Sequence, residues 1–130
     1  MNQPTIYKQV IVMRHDLKMR RGKQIAQGAH ASMSFLCHRL RERGELSIED
    51  FEAPARAWLS GAFAKVCCRV DSEEELMAVY EQASEAGLET HLITDSGKTE
   101  FHGVPTRTCI AIGPDLTSRI DAITGELSLL

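Results

Sequence analysis

Apolar residues along this chain recur at two spacings. Val10-Ile11-Val12-Met13 is an unbroken apolar run within Tyr7 to Arg14, the mark of a strand buried on both faces. From about Gly22 to Arg41 the spacing becomes helical. Ile25, Ala29, Met33, Leu36 and Leu40 fall on one side and are expected to form the core stripe of a long helix. Gly44 to Ala55 is polar and acidic, with Pro54, and Ser47 with Asp50 gives a capping-box signal. A short helix anchored by Trp58 is expected around Ala55 to Ser60, then a second strand over Ala64 to Val70. Ser72-Glu73-Glu74-Glu75 opens the next helix, with carboxylates suited to its N-terminus. That helix turns Leu76, Val79, Tyr80 and Ala83 inward and stops at Gly87. A third strand is expected at about Thr90 to Thr94 and a fourth from Arg107 to Ile112, ending at Gly113-Pro114. Asp115 is expected to cap a last helix carrying Leu116, Ile120 and Ile123 inward and ending at Gly125.

Strands alternating with helices predict the α/β class. The expected architecture is one domain over residues 1–130, layered α/β/α around a mixed, mostly four-stranded sheet. A helix joins strands two and three, which favours a parallel relation between them. The shorter Gly- and Pro-containing loop between strands three and four favours an antiparallel one. No repeat, low-complexity tract or linker interrupts the pattern.

Composition narrows the classes. A chain of 130 residues supports one core, and 43% apolar with 25% charged residues is ordinary for a soluble globular protein. No apolar run approaches the roughly 20 residues of a membrane span, so no membrane partner is expected. Met1-Asn2-Gln3-Pro4 lacks the charged-then-apolar pattern of a signal peptide, and the expected location is the cytoplasm. Cys67 and Cys68 are adjacent in a strand and point to opposite faces; no C-x-x-C occurs. All four cysteines are expected to be reduced and to act as small core hydrophobes. His15, His30, His38, His91 and His102 are scattered without ligand spacing, so neither a metal nor a cofactor is expected.

The net charge of −3 conceals an asymmetry. Asp71 to Thr90 carries seven acidic residues and no Lys or Arg, whereas five of the ten residues from Arg14 to Lys23 are basic. Beyond about 8 Å charges are largely screened, so the basic region can hold a polyanion locally; two merely solvated faces would read the same way. The basic residues sit at a strand-to-helix turn, where unpaired backbone N–H groups and the helix dipole favour a phosphate or an oxyanion. Lys23, Gln27, His30 and Ser34 share a helical stripe nearly opposite the apolar one, beside Gly28. That stripe is either the wall of a polar pocket or a solvated surface. Thr94-Asp95-Ser96-Gly97-Lys98-Thr99 follows a strand. Asp95 there could accept a proton or orient a water that Thr99 also holds; the same residues would equally form a plain turn. Ser96-Gly97-Lys98-Thr99 echoes the end of a phosphate loop but lacks the upstream glycine, which excludes a nucleoside-triphosphate site.

Taken together these motifs resemble the type-2 peptidyl-tRNA hydrolases over nearly the whole chain. Asp16-Leu17-Lys18-Met19, Gly22-Lys23, Ala26-Gln27 and His30-Ala31 match the family's first pattern. Asp95-Ser96-Gly97-Lys98-Thr99 and Ile112-Gly113-Pro114 match its second, and Ile123-Thr124-Gly125-Glu126-Leu127 is similar to its closing helix and tail. The resemblance implies metal-free hydrolysis of the ester that joins a peptide, or an N-blocked aminoacyl group, to the terminal ribose of tRNA. It places catalytic roles on Lys23, Asp95, Thr99 and Thr108, with Thr106 as the neighbouring option, and it includes Gln27 and His30 in the helix motif. It also implies a homodimer, which no apolar stripe in the chain requires.

The chain departs from the family at Arg20 and Arg21, at Lys98, in the loop Glu100 to Pro105 and at Arg107. Ester hydrolysis needs an oriented water, a proton acceptor and a stabilised oxyanion. The expected division of labour gives the water to Asp95, Thr99 and Thr108. Lys23 and the N–H groups around Gly22 take the oxyanion or the terminal phosphate. Arg14, Lys18, Arg20, Arg21, Lys98 and Arg107 are expected to contact tRNA phosphates without reading sequence. Two other classes remain consistent with the residues: a non-catalytic RNA- or protein-binding module on the same fold, and a hydrolase of small aminoacyl or peptidyl esters.

Overall fold

The computed structural model describes residues 6–98 and 100–130. Four strands form one mixed sheet: β1 (Tyr7–Arg14), β2 (Lys65–Val70), β3 (Thr90–Asp95) and β4 (Thr106–Leu116), in the order β2-β1-β4-β3. β1 runs parallel to β2 and antiparallel to β4, and β3 is antiparallel to β4. β2 and β3 therefore do point the same way, but they lie at opposite edges and never pair. The C-terminal ends of β1 and β3 and the start of β4 share one end of the sheet.

Four helices cover the two faces: α1 (Arg21–Arg43), α2 (Ala53–Ser60), α3 (Glu73–Glu85) and α4 (Thr117–Thr124). The alternation of β1 separates the layers. Val10 and Val12 join Leu76, Val79, Ala83, Ile110, Ile112 and Ile120 under α3 and α4. Ile11 and Met13 pack with Ala31, Cys109 and Ala111 under α1. Trp58 on α2 closes a third cluster with Phe35, Phe51 and Ala55, and its indole N–H donates to Ala64 O at 2.7 Å. Ser47 and Asp50 form the expected capping box, on a single 3-10 turn.

The face of α1 differs from expectation. Ile25, Met33 and Leu40 are 66%, 55% and 46% exposed, and the buried positions are Gln27, Ala31 and Phe35. The helix meets the sheet through Gln27 and the small Ala31, which packs with Ile11 and Met13. Buried Gln27 is tolerated there because its polar atoms find partners on the sheet. The cysteines divide likewise. Cys68 and Cys109 are buried, but Cys67 is exposed and Cys37 half-buried, so only two of the four are core residues. All four are free thiols.

β4 runs four residues beyond its expected end, through Gly113 and Pro114. Asp115 is thus a strand residue and not the N-cap of α4. Its carboxylate accepts from Leu116 N at 2.7 Å and from Arg119 at 3.0 Å. The β3–β4 ladder contains one irregularity. Ile93 pairs with Cys109 but Thr94 pairs with Arg107, which leaves Thr108 as an extra residue in β4. Such a bulge lets two successive side chains take the same face. Thr108 and Cys109 both face α1: the Thr108 hydroxyl donates to the Gln27 side chain and the Cys109 thiol to the Gln27 carbonyl.

Candidate active site

A chain of polar contacts runs from the bulge to the surface. Thr108 is fully buried, and its hydroxyl donates to Gln27 Oε1 at 2.5 Å. With its oxygen so engaged, Gln27 presents its Nε2 to Asp95 Oδ1 at 3.2 Å. The same Oδ1 accepts from Lys23 Nζ at 2.8 Å, while Gly97 N donates to Oδ2 at 2.9 Å. Lys23 and Gln27 lie one turn apart on α1, and Asp95 is the last residue of β3. The Lys23 and Asp95 side chains retain 15% and 11% exposure, enough to be reached from solvent but little enough to be weakly screened. The hydrogen bond from Lys23, aided by the Gly97 N–H, the Lys23 charge and Gln27, holds the Asp95 carboxyl below the ordinary aspartate range, against the opposing effect of burial.

The loop after Asp95 is held by its own backbone. Gly97 has φ +83, and a Cβ there would overlap Val104 O. Gly103 N donates to Gly97 O at 2.9 Å. Phe101 packs beside Met19 and Ile93, and the Arg20–Glu100 ion pair at 3.3 Å ties the loop to the start of α1. Thr99 lies outside the described residues.

The remaining expected residues separate into four groups. Arg14 is engaged in bracing the sheet: it holds Asp16 through two contacts of 3.1 and 2.7 Å and donates to Arg107 O at 3.0 Å. The hydrogen bond between Arg14 and Asp16 raises the Arg14 guanidinium above its ordinary value and lowers the Asp16 carboxyl. Arg107 stands 3.9 Å from Glu73, and Thr106 turns its hydroxyl to Val104 O at 2.8 Å, away from the polar chain. Gly22, Lys18, Arg20, Arg21 and Lys98 are exposed around the same end of the sheet. His30 and Ser34 do not reach Asp95; they line a neighbouring cavity of about 400 Å3 between α1 and β3.

Two participants were not assigned their place by sequence reasoning. Gly97 contributes a backbone donor, for which its spacing of two from Asp95 is the available signal. Gln27 joins the sheet to the carboxylate, and nothing in a helical stripe distinguishes that from a solvated glutamine. Among the described residues no group of three His, Cys, Asp or Glu side chains is placed to hold a metal ion. Chemically, the arrangement offers a carboxylate held by three donors, one of them the Lys23 ammonium group, close to the N-terminus of α1.

A family model described as Peptidyl-tRNA hydrolase PTH2 matches residues 7–130. A Methanopyrus kandleri protein named peptidyl-tRNA hydrolase is 44% identical over 126 residues, covering 96% of this chain and 99% of its own length. One from Methanothermobacter thermautotrophicus with the same name is 41% identical over 123 residues, covering 95% and 99%. A Drosophila melanogaster protein named probable peptidyl-tRNA hydrolase 2 is 36% identical over 124 residues, covering 95% of this chain and 62% of its own.

Proposed function

The chain belongs to the peptidyl-tRNA hydrolase PTH2 family, and from that premise we propose that the Lys23–Asp95 pair hydrolyses the ester between a peptide and the terminal ribose of tRNA. The observation that carries this assignment is the 2.8 Å contact between two groups 72 positions apart, at a solvent-reachable end of the sheet. A water hydrogen-bonded to the Asp95 carboxylate attacks the ester carbonyl. The Lys23 ammonium and the first N–H groups of α1 stabilise the oxyanion that forms. The bond from the carbonyl carbon to the ribose oxygen then breaks. One proton of the water ends on that oxygen and the other passes by way of Asp95 to solvent, leaving free tRNA and a peptide carboxylate. Gln27 and Thr108 position Asp95 and do not touch substrate. Thr99, four positions after Asp95 in the sequence, is assigned to the same water on family resemblance.

Lys18, Arg21 and Lys98 are the cations we assign to tRNA phosphates, with Gly22, Arg20 and Arg107 at the same rim. Arg14 supports that rim from beneath. We assign the assembly as a homodimer, supported by the exposed apolar Ile25, Phe63 and Leu130 around one open groove, and expect sedimentation to give twice the chain mass. No helix among the described residues is long and apolar enough to cross a membrane, and we assign the activity to the cytoplasm, tested by cell fractionation.

The decisive experiment incubates the pure protein with N-acetyl-aminoacyl-tRNA and with the same ester on adenosine. Cleavage of the tRNA ester alone is expected, with Lys23→Ala and Asp95→Ala slower by about a hundredfold or more while still folded. Near-wild-type rates in both variants would remove the assignment. Equal cleavage of both esters would mark a small-ester hydrolase, and cleavage of neither a binding module.

A further inference from the structure

The two edges of the sheet are finished differently. Along β2, Arg69 N donates to Ser128 O at 2.9 Å and Leu130 N to Cys67 O at 3.0 Å, so residues 128–130 close that edge. Along β3, no described strand pairs on the outer side. Gly113 N donates to Glu89 O at 2.8 Å, which sets the direction of the main chain there. By the period of two, the N–H and C=O groups of Thr90, Leu92 and Thr94 point outward. Open edges are commonly guarded by Lys or Pro; the run Thr90-His91-Leu92-Ile93-Thr94-Asp95 has neither. This open edge ends on the carboxylate assigned above to the hydrolytic water.

A groove lies alongside. The cavity of about 400 Å3 between α1 and β3 mixes apolar Ala29 and Met33 with His30, Ser34 and His91, and Arg41 is its one permanent cation. It continues the helix flank that carries Lys23 and Gln27. From His91 to Asp95 β3 spans roughly 13 Å, at about 3.3 Å per residue, which matches an extended peptide of about four residues.

The ester has two arms leaving it. The RNA arm carries one negative charge per nucleotide and is drawn to Lys18, Arg21 and Lys98 over the end of the sheet. We propose that the peptide arm adds to the outer edge of β3 as a parallel strand, its ester-linked residue at Asp95 and alternate side chains entering the α1–β3 groove. The inference rests on the hydrolytic reading of the same site. Main-chain pairing gives affinity without demanding a sequence, as suits a substrate defined by its ester and not by its side chains.

The test compares tRNAs carrying N-acetyl-alanine, N-acetyl-trialanine and N-acetyl-pentaalanine. About two added main-chain hydrogen bonds predict that kcat/KM rises about tenfold from one residue to three and then levels. N-methylation of one amide of the trialanine cancels that gain, and N-methylation of the next leaves it intact, the alternation of a strand. Equal kcat/KM at all lengths, or equal loss at both amides, overturns the strand. Insensitivity to peptide length combined with a loss on trimming the 3′ single strand would give the groove to RNA instead. Inactivity toward N-acetyl-alanyl-tRNA as well would sink the hydrolytic reading and this inference together.

Discussion

The Thr108 hydroxyl occupies the Gln27 side-chain oxygen and thereby turns the Gln27 amide nitrogen toward Asp95. A glutamine has two unlike ends, and a buried neighbour that can donate decides which end is presented. The carboxylate consequently receives a hydrogen bond where the opposite orientation would set an oxygen against it.

Thr108→Val keeps the shape and removes the donor. Gln27 Oε1 is then buried without a partner, at a cost of about 1–3 kcal/mol. We expect that loss in urea denaturation, together with a fall of about tenfold in kcat and little change in KM, since Thr108 is fully buried. Thr108→Ser should recover most of the rate, a rescue that a merely space-filling role would not give.

Acid should reveal the Lys23–Asp95 contact. The folded-state pKa of Asp95 lies below its ordinary value of 3.8, chiefly through the hydrogen bond from Lys23. A depressed carboxyl stabilises the fold fully above the unfolded value and loses that contribution as pH falls through the folded one. Lys23→Met should therefore shift the acid-unfolding midpoint to higher pH, read by circular dichroism below pH 4. An unchanged midpoint would mean that the contact contributes nothing in solution.

Gly97→Ala should damage the loop. The residue has φ +83, and a methyl group there would overlap the Val104 backbone, which cannot yield as a side-chain end can. We expect a stability loss of about 1–3 kcal/mol and a larger loss of turnover, because Asp95 would also lose the Gly97 N–H. Thermal unfolding and single-turnover hydrolysis measure the two parts.

Gly28→Ala should act in the opposite direction. A Cβ there meets Ile11 Cδ1 and Met13 Cε at 3.9 Å, an ordinary contact. Replacing glycine by alanine within a helix then gains about 0.5–1 kcal/mol, visible as a higher Tm with unchanged kcat/KM.

Transfer RNA binding should weaken as salt rises. Lys18→Ala, Arg21→Ala and Lys98→Ala should each lower the salt slope by about one, across all tRNA sequences alike. Arg14→Ala should instead lower stability, because its guanidinium is held by Asp16 and the Arg107 carbonyl.

The strands and helices were legible because each has a period the core enforces: the run from Val10 to Met13, and Leu76, Val79 and Ala83 under a Ser72 cap. The face of α1 was not. Its apolar residues recur at helical spacing, yet a helix pressed close to a sheet is oriented by its small residues and by buried polar partners such as Gln27. The neighbourhood of Lys23 and Asp95 was legible in that each stands in a polar cluster following a strand, and in the family resemblance, although nothing local brings positions 72 apart together. The reach of β4 through Gly113 and Pro114 was hidden by residues that ordinarily end strands.

The extra residue in β4 has a practical consequence for anyone redesigning this protein. Deleting Thr108 would regularise the ladder and look like an improvement on most measures of backbone ideality. It would also leave Gln27 without its anchor and let the amide rotate. An enzyme made tidier in this way should melt at a respectable temperature and turn over poorly, with the irregularity itself having been the part that did the aiming.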